Sequence, residues 1–243
     1  MNVLVTGATG FVGARLVPAL LDAGHDVSVL VRDQRSYDPP DGVTVFEGDV
    51  LEPGSFDDAL AGVDAAYYLV HAMGGGRGFE ERDRRGARNF ARAAGAAGVE
   101  RVVYLSGLGV DDADLSAHLR SRREVEAVLG RGEYDLTVLR AAIIIGAGSA
   151  SFRIVRQLAG TLPLMVTPRW VSTRVQPIAI ADVIAYLVGV LDSPDTAGGT
   201  YEIGGPEVMT YREMLTTVGR LLTGRKHFMI PVPVLTPRIS GYW

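Results

Sequence analysis

Over the first 145 residues, short β-branched and apolar runs alternate with longer segments whose apolar positions recur at helical spacing. The runs lie at 3–5, 27–31, 43–47, 65–70, 102–105 and 136–139, each bounded by Gly, Asp or Pro. Runs with little in–out alternation are the mark of strands covered on both faces. Helical segments at 11–23, 79–97 and 118–129 lie among them. Repeated strand–helix–strand units require a parallel sheet with right-handed crossovers, so the pattern predicts an α/β doubly wound parallel sheet, a Rossmann fold. After about residue 146 the rhythm changes. Helices are expected at 149–162, 180–191 and 210–222, a strand at 199–203 and irregular chain at 163–175. Thr210 is the expected N-cap of the last helix, with Glu213 closing a capping box. The expected organisation is a sheet domain over 1–146 and a small C-terminal α/β lobe, on the substrate side, over 147–243.

The chemistry starts where the first strand ends. Thr6-Gly7-Ala8-Thr9-Gly10-Phe11-Val12-Gly13 follows a strand and opens a helix. That context turns a glycine pattern into a phosphate cradle: Gly7 for the tight turn, Gly10 for backbone approach to a pyrophosphate, Gly13 for close helix packing. The helix N-terminus adds partial positive charge beneath the phosphates. Gly7, Thr9, Gly10, Phe11, Val12 and Gly13 are therefore the expected contacts to a nicotinamide dinucleotide. The end of the second strand discriminates between its two forms. An acidic residue there binds a ribose hydroxyl, and an Arg accommodates a 2′-phosphate. The chain reads Val31-Arg32-Asp33, so Arg32 favours NADP and Asp33 keeps NAD as the alternative.

The Gly-x-x-Gly-x-x-Gly spacing resembles that of the extended short-chain dehydrogenase/reductase superfamily. So do Gly48-Asp49-Val50, Leu105-Ser106-Gly107, Asp182 and the segment 201–205. The resemblance implies that Asp49 and Val50 contact adenine and that Ser106 lies at the nicotinamide side. It also implies a Tyr-x-x-x-Lys pair one helical turn apart, in which the lysine lowers the tyrosine pKa. At the matching place this chain has His118 and Arg122 instead, with Glu126 on the same face. His118 is then a candidate proton carrier with Arg122 as ribose holder, against a helix that only supports bound cofactor. His71, at the end of the fourth strand, is a further candidate. These departures make the chain similar to atypical members of the superfamily: NmrA-like proteins, the NADPH-binding accessory subunit of respiratory complex I, and proteins labelled nucleoside-diphosphate-sugar epimerase. Longer relatives of that kind imply a further domain beyond Trp243. The function implied is NAD(P)(H) binding as a redox sensor or scaffold, or reduction of a small carbonyl or quinone, with sugar epimerisation third.

Composition narrows the rest. A net charge of −4 and a pI near 5.6 give no electrostatic reason for a nucleic-acid or anionic-membrane partner. The absence of cysteine excludes disulfides, thiolate catalysis and Cys-ligated zinc. Asp111, Asp112 and Asp114 read as solvated carboxylates, so no metal is expected. The apolar stretch 178–191 is interrupted by Asp182 and too short to span a bilayer, and the first strand leaves no room for a leader, which makes the cytoplasm the expected location. The expected partners are the dinucleotide, an unidentified small molecule, and a protein partner or second copy. The glycine-rich segment 73–78 is a candidate lid. Arg140, Arg174 and Gln176 are candidates to line a substrate pocket.

Overall fold

The structure is a computed structural model that describes residues 1–71, 78–109, 116–161, 164–167, 169–224 and 228–231. In chain order the elements are β1 (Asn2–Thr6), α1 (Gly13–Asp22), β2 (Asp26–Val31), β3 (Thr44–Glu47), β4 (Ala65–Tyr68), α2 (Phe79–Ala97), β5 (Arg101–Gly107), α3 (Ala117–Leu129) and β6 (Asp135–Ala141). Then follow β7 (Ile144–Ile145), α4 (Ala150–Thr161), β8 (Leu164–Thr167), β9 (Arg174–Val175), β10 (Ile178–Ala179), α5 (Ile180–Asp192), β11 (Thr200–Ile203), β12 (Met209–Thr210), α6 (Tyr211–Thr223) and β13 (Phe228–Pro231). They form two compact units, Met1–Ala141 with Ala181–Ile203, and Ala142–Ile180 with Gly204–Trp243.

The first unit is built on a seven-stranded sheet in the order β11-β6-β5-β4-β1-β2-β3. Every pairing in it is parallel. Strands β1, β4 and β5 are buried almost throughout, as their continuous apolar runs require. Alternate residues serve opposite faces. Leu4, Ala66, Tyr68, Val102, Tyr104 and Val138 meet Ala87, Phe90 and Ala94 of α2 and Val125 and Leu129 of α3 in one core. The α2 residues fall at helical spacing on a single stripe. The small β4 alanines leave room for large rings, and Phe90 packs on Tyr68 with ring centroids 4.9 Å apart. Gly86 lets α2 come down on Tyr68, whose hydroxyl oxygen would lie 3.0 Å from a Cβ at that position. Tyr67 points the other way, and its hydroxyl donates to the Leu187 carbonyl of α5 at 2.6 Å. Arg101 donates to the Val190 and Pro194 carbonyls, placing a cation on the C-terminal end of α5.

The strand order reverses at β1, which has β2 on one side and β4 on the other. In an open α/β sheet that reversal opens a crevice beyond the carboxyl ends of the strands. The β1–α1 loop, the end of β4 and the end of β5 all lie on that side.

In the second unit α4 and α6 pack together around Val155, Ala159, Val175, Met214 and Leu215. Three two-stranded pairs complete it: β7 with β10, β9 with β12, and β8 with β13. The capping box at Thr210 and Glu213 is present, with the Thr210 N–H donating to Glu213 Oε2 at 2.7 Å. Residues 164–167, expected to be irregular, form a strand, because a partner sixty-odd positions later supplies the ladder. Local pattern carries no trace of such a partner. Helix α5 and strand β11 return to the first unit, where β11 extends the main sheet beyond β6. The candidate lid at 73–77, the three aspartates at 111–114 and the chain from 232 onward lie outside the described residues.

Candidate functional site

The crevice is closed at its base by one threonine and two glycines. Thr6, the last residue of β1, is fully buried. Its hydroxyl donates to the Tyr67 carbonyl at 2.9 Å and accepts from the Leu69 N–H at 3.2 Å, tying β1 to the end of β4. Gly7 follows with φ +75°, and a Cβ there would sit 2.9 Å from the Leu69 carbonyl. Gly10 donates its N–H back to the Gly7 carbonyl at 3.0 Å. At Gly13 a Cβ would lie 2.3 Å from that same carbonyl oxygen, so only glycine lets α1 start so close to the strand. Helix α1 has Val12 as its N-cap, with no side-chain cap hydrogen bond and no acidic residue in its first turn. The first N–H groups of a helix have no partner within it. A tight glycine turn beneath such a positive end fits a pyrophosphate. Thr9 and Gly10 are exposed, and Phe11 and Val12 are partly so, beside this end. Arg15 lies over the Phe11 ring, 4.6 Å from its centroid.

At the end of β2 the two charged candidates separate. Arg32 is exposed. Asp33 caps a short 3-10 turn, with Oδ1 accepting from the Arg35 N–H at 2.9 Å, and Glu47 takes the Gln34 N–H at 3.0 Å. Asp49 is similarly engaged, accepting from the Leu51 N–H at 2.8 Å. Val50 is buried, and its carbonyl accepts from Asn89 of α2 at 2.9 Å.

Beyond β4 and β5 the structure brings four of the expected residues into one neighbourhood. The rings of His71 and His118 stand edge to face, with centroids 6.5 Å apart. Arg122, one turn along α3 from His118, donates to the Leu105 carbonyl at 3.2 Å, next to Ser106. Ser106 is buried, and neither its hydroxyl oxygen nor Arg122 Nε has a hydrogen-bond partner among the described residues. Burial, and then the Arg122 cation, push the His71 pKa down to about 4. Partial desolvation, followed by Arg122, holds His118 below the ordinary histidine value, against the opposing pull of Asp83. Tyr68 and Tyr104, nearby in the core, are fully buried, and burial raises their pKa values.

With the cradle, the crevice and this cluster located, comparison with known proteins is decisive. Residues 7–192 match the model of the NAD(P)H-binding family. The chain belongs to that family.

The NAD(P)H-binding protein is 32% identical, over 228 residues, to a (4-alkanoyl-5-oxo-2,5-dihydrofuran-3-yl)methyl phosphate reductase of Streptomyces griseus, covering 90% of this chain and 73% of that one. It is 30% identical, over 227 residues, to the mitochondrial NADH dehydrogenase (ubiquinone) 1 alpha subcomplex subunit 9 of Arabidopsis thaliana. That match covers 86% of this chain and 55% of the plant subunit, so the chain spans little more than half of that relative. A nucleoside-diphosphate-sugar epimerase from Staphylococcus aureus superposes with a TM-score of 0.81 at 19% identity, covering 100% of this chain and 84% of the other. That likeness is one of fold.

Arg140, a candidate to line a substrate pocket, donates to both carboxylate oxygens of Glu126. Glu126 also accepts from Arg123 at 3.2 Å, so it serves this arginine cluster and not His118. In the second unit, Gln176 donates to the Gly205 carbonyl at 2.6 Å. Asp83 is the residue that sequence reasoning passed over. It accepts from the Ser121 hydroxyl at 3.1 Å and acts electrostatically on both histidines. In the sequence it is one acid among the charges of α2, and the contact 38 positions away on α3 gives no local signal. Thr6 was read only as the lead-in to the glycine loop.

Replacing Thr6 with Val removes the side-chain bridge between the ends of β1 and β4 and takes from the part-buried Leu69 N–H its hydroxyl partner. The expected cost is about 1–3 kcal/mol of unfolding free energy, together with weaker dinucleotide binding. Urea unfolding and fluorescence titration with NADPH measure the two effects.

Proposed function

We propose that this protein holds NADP(H) in preference to NAD(H) and turns it over slowly at neutral pH, acting as a reporter of nicotinamide redox state or as a scaffold subunit. What supports the NADP preference is the division of labour after β2. Arg32 is exposed at the strand end, while Asp33 is committed to capping its own turn. An arginine in that place pairs with a 2′-phosphate, and a carboxylate already holding a backbone N–H is a poor ribose ligand.

The observation that carries slow turnover is the state of the two imidazoles. A nicotinamide bound along the crevice supplies hydride exchange. Reduction of a carbonyl also needs a proton at the developing alkoxide, delivered by a group protonated near the working pH. His71, with a pKa near 4, is neutral at pH 7. His118 is shifted the same way and is largely neutral there. Arg122 cannot deprotonate, and its guanidinium is tied to the Leu105 carbonyl. His118 and Arg122 thus occupy the place of the Tyr-x-x-x-Lys pair without its acid. The similarity to a plant NADH dehydrogenase subunit is in keeping with a cofactor held as part of an assembly.

A second reading has its own support. The unpartnered Ser106 hydroxyl beside the histidines, and the 32% identity to a reductase, suit an NADPH-dependent reductase of a small carbonyl or quinone with His118 as proton carrier.

Calorimetric titration is expected to show NADPH binding at least tenfold more tightly than NADH. Arg32→Ala should weaken NADPH by about 10- to 100-fold, the worth of hydrogen bonds to a charged group, and leave NADH unchanged. Equal affinities would remove the NADP assignment.

Steady-state oxidation of NADPH with a panel of carbonyls and quinones should run below about 1 s⁻¹ at pH 7, under the usual enzyme range. Any residual rate should climb as pH falls toward 5, because more His118 is then protonated, and His118→Ala should abolish the climb. Turnover at ordinary enzyme rates at pH 7, lost in His118→Ala, would establish the reductase instead.

A further inference from the structure

Two arginines and two carboxylates gather where β2 and β3 end, and they do not pair with one another. Arg32 and Arg35 are exposed, and neither guanidinium has a hydrogen bond or an ion pair among the described residues. The carboxylates are committed to the backbone instead. Asp33 Oδ1 accepts from the Arg35 N–H at 2.9 Å, and Glu47 Oε2 accepts from the Gln34 N–H at 3.0 Å. Both cations are left available.

The backbone around them shows what each bond does. Gln34–Ser36 make a single 3-10 turn, preceded by Asp33 in extended conformation. A turn so short cannot satisfy its own first N–H groups. The N–H groups from Gln34 to Tyr37 are nonetheless all bonded. That of Arg35 goes to the Asp33 side chain, that of Ser36 to the Asp33 carbonyl at 3.2 Å, and that of Tyr37 to the Gln34 carbonyl at 3.2 Å. The Ser36 hydroxyl donates to the same Asp33 carbonyl at 2.8 Å. These bonds close within the turn and set its shape. The Gln34 N–H, alone of the four, reaches out of the turn to another strand. Glu47, which receives it, is itself held. It is the last residue of β3, opposite Val31 in the parallel ladder, and the following Gly48 N–H donates to the Val31 carbonyl at 2.9 Å. A Cβ at Gly48 would lie 2.5 Å from the Ser55 carbonyl oxygen, so the chain leaving β3 is confined as well.

We propose that Glu47 is a positioning residue for the selection of NADP(H). Its bond to the Gln34 N–H ties the turn to β3 and holds it in the shape that presents Arg32 and Arg35 together to the 2′-phosphate. This role rests on the NADP preference proposed above. Because the N–H groups of the turn are occupied, the phosphate is left to the two guanidinium groups, whose bonds to it are charge-assisted. A turn fixed in advance spares the complex the cost of ordering a loose loop.

Calorimetric titration of the full chain and two variants with NADPH and with NADH separates positioning from charge. Glu47 is exposed, so neither substitution opens the core. Glu47→Ala removes the acceptor and should weaken NADPH about tenfold, the low end of the worth of a hydrogen bond to a charged group, with NADH unchanged. Glu47→Gln keeps an acceptor oxygen at the same reach and should bind NADPH at least as tightly as the wild type. A carboxylate that acted only as a negative charge near the phosphate would give the reverse for alanine, with NADPH tighter in both variants. NADPH affinity of Glu47→Ala at or above the wild-type value, equal losses in the two variants, or equal losses of NADPH and NADH in Glu47→Ala would each overturn the role of Glu47 while the wild-type preference stands. A wild-type chain that binds NADPH and NADH equally removes the preference itself, and the role with it.

Discussion

The site depends on the contact between the ends of β1 and β4, where the Thr6 hydroxyl bridges the Tyr67 carbonyl and the Leu69 N–H. One buried hydroxyl serves two backbone groups at the point where the strand order reverses. The bridge brings the two strand ends so close that Gly7 cannot carry a side chain. The turn that Gly7 makes sets the Gly7 carbonyl against Gly13 and fixes where α1 begins. From the other side of the same contact, the chain leaves Leu69 for His71. The glycine turn and the histidine cluster are thus two outcomes of a single junction.

That junction explains which parts of the molecule were legible in the sequence. The sheet was readable because β1, β4 and β5 are buried on both faces, and burial writes a continuous apolar run into the chain. Gly7 and Gly13 were readable because steric exclusion leaves only one residue type. The capping box at Thr210 was readable because both of its partners lie within four residues. Contacts between distant segments were not. Asp83 meets Ser121 across two helices, Arg140 meets Glu126, and β8 finds its partner more than sixty residues later. None of these leaves a spacing rule behind. Thr6 is a separate case: its position was visible, but a threonine at a strand end has many uses, and only the geometry shows which one it serves.

Charge supplies the second theme, at two scales. Within the first unit, Arg122 and Asp83 pull the two imidazoles in opposite directions, and burial with Arg122 prevails. Both rings are thereby held below the ordinary histidine value. The proposed separation of holding a nicotinamide from using it rests on that shift. Across the chain, residues 142–180 and 204–243 carry a net +7 and the remaining residues −11, and the sum of −4 conceals both. A bulk net charge describes solubility and long-range attraction only when the charge is evenly spread.

The claim on which the functional account rests is that His71 and His118 are neutral at pH 7 because of where the fold places them. Histidine ring NMR, titrated across the acid to neutral range with NADPH bound and with NADPH absent, tests it most directly. The account predicts a midpoint for His71 near 4, a midpoint for His118 below that of a free histidine, and chemical-shift changes in both rings when NADPH is added. A midpoint for His118 at or above the free value, or rings indifferent to NADPH, would contradict it.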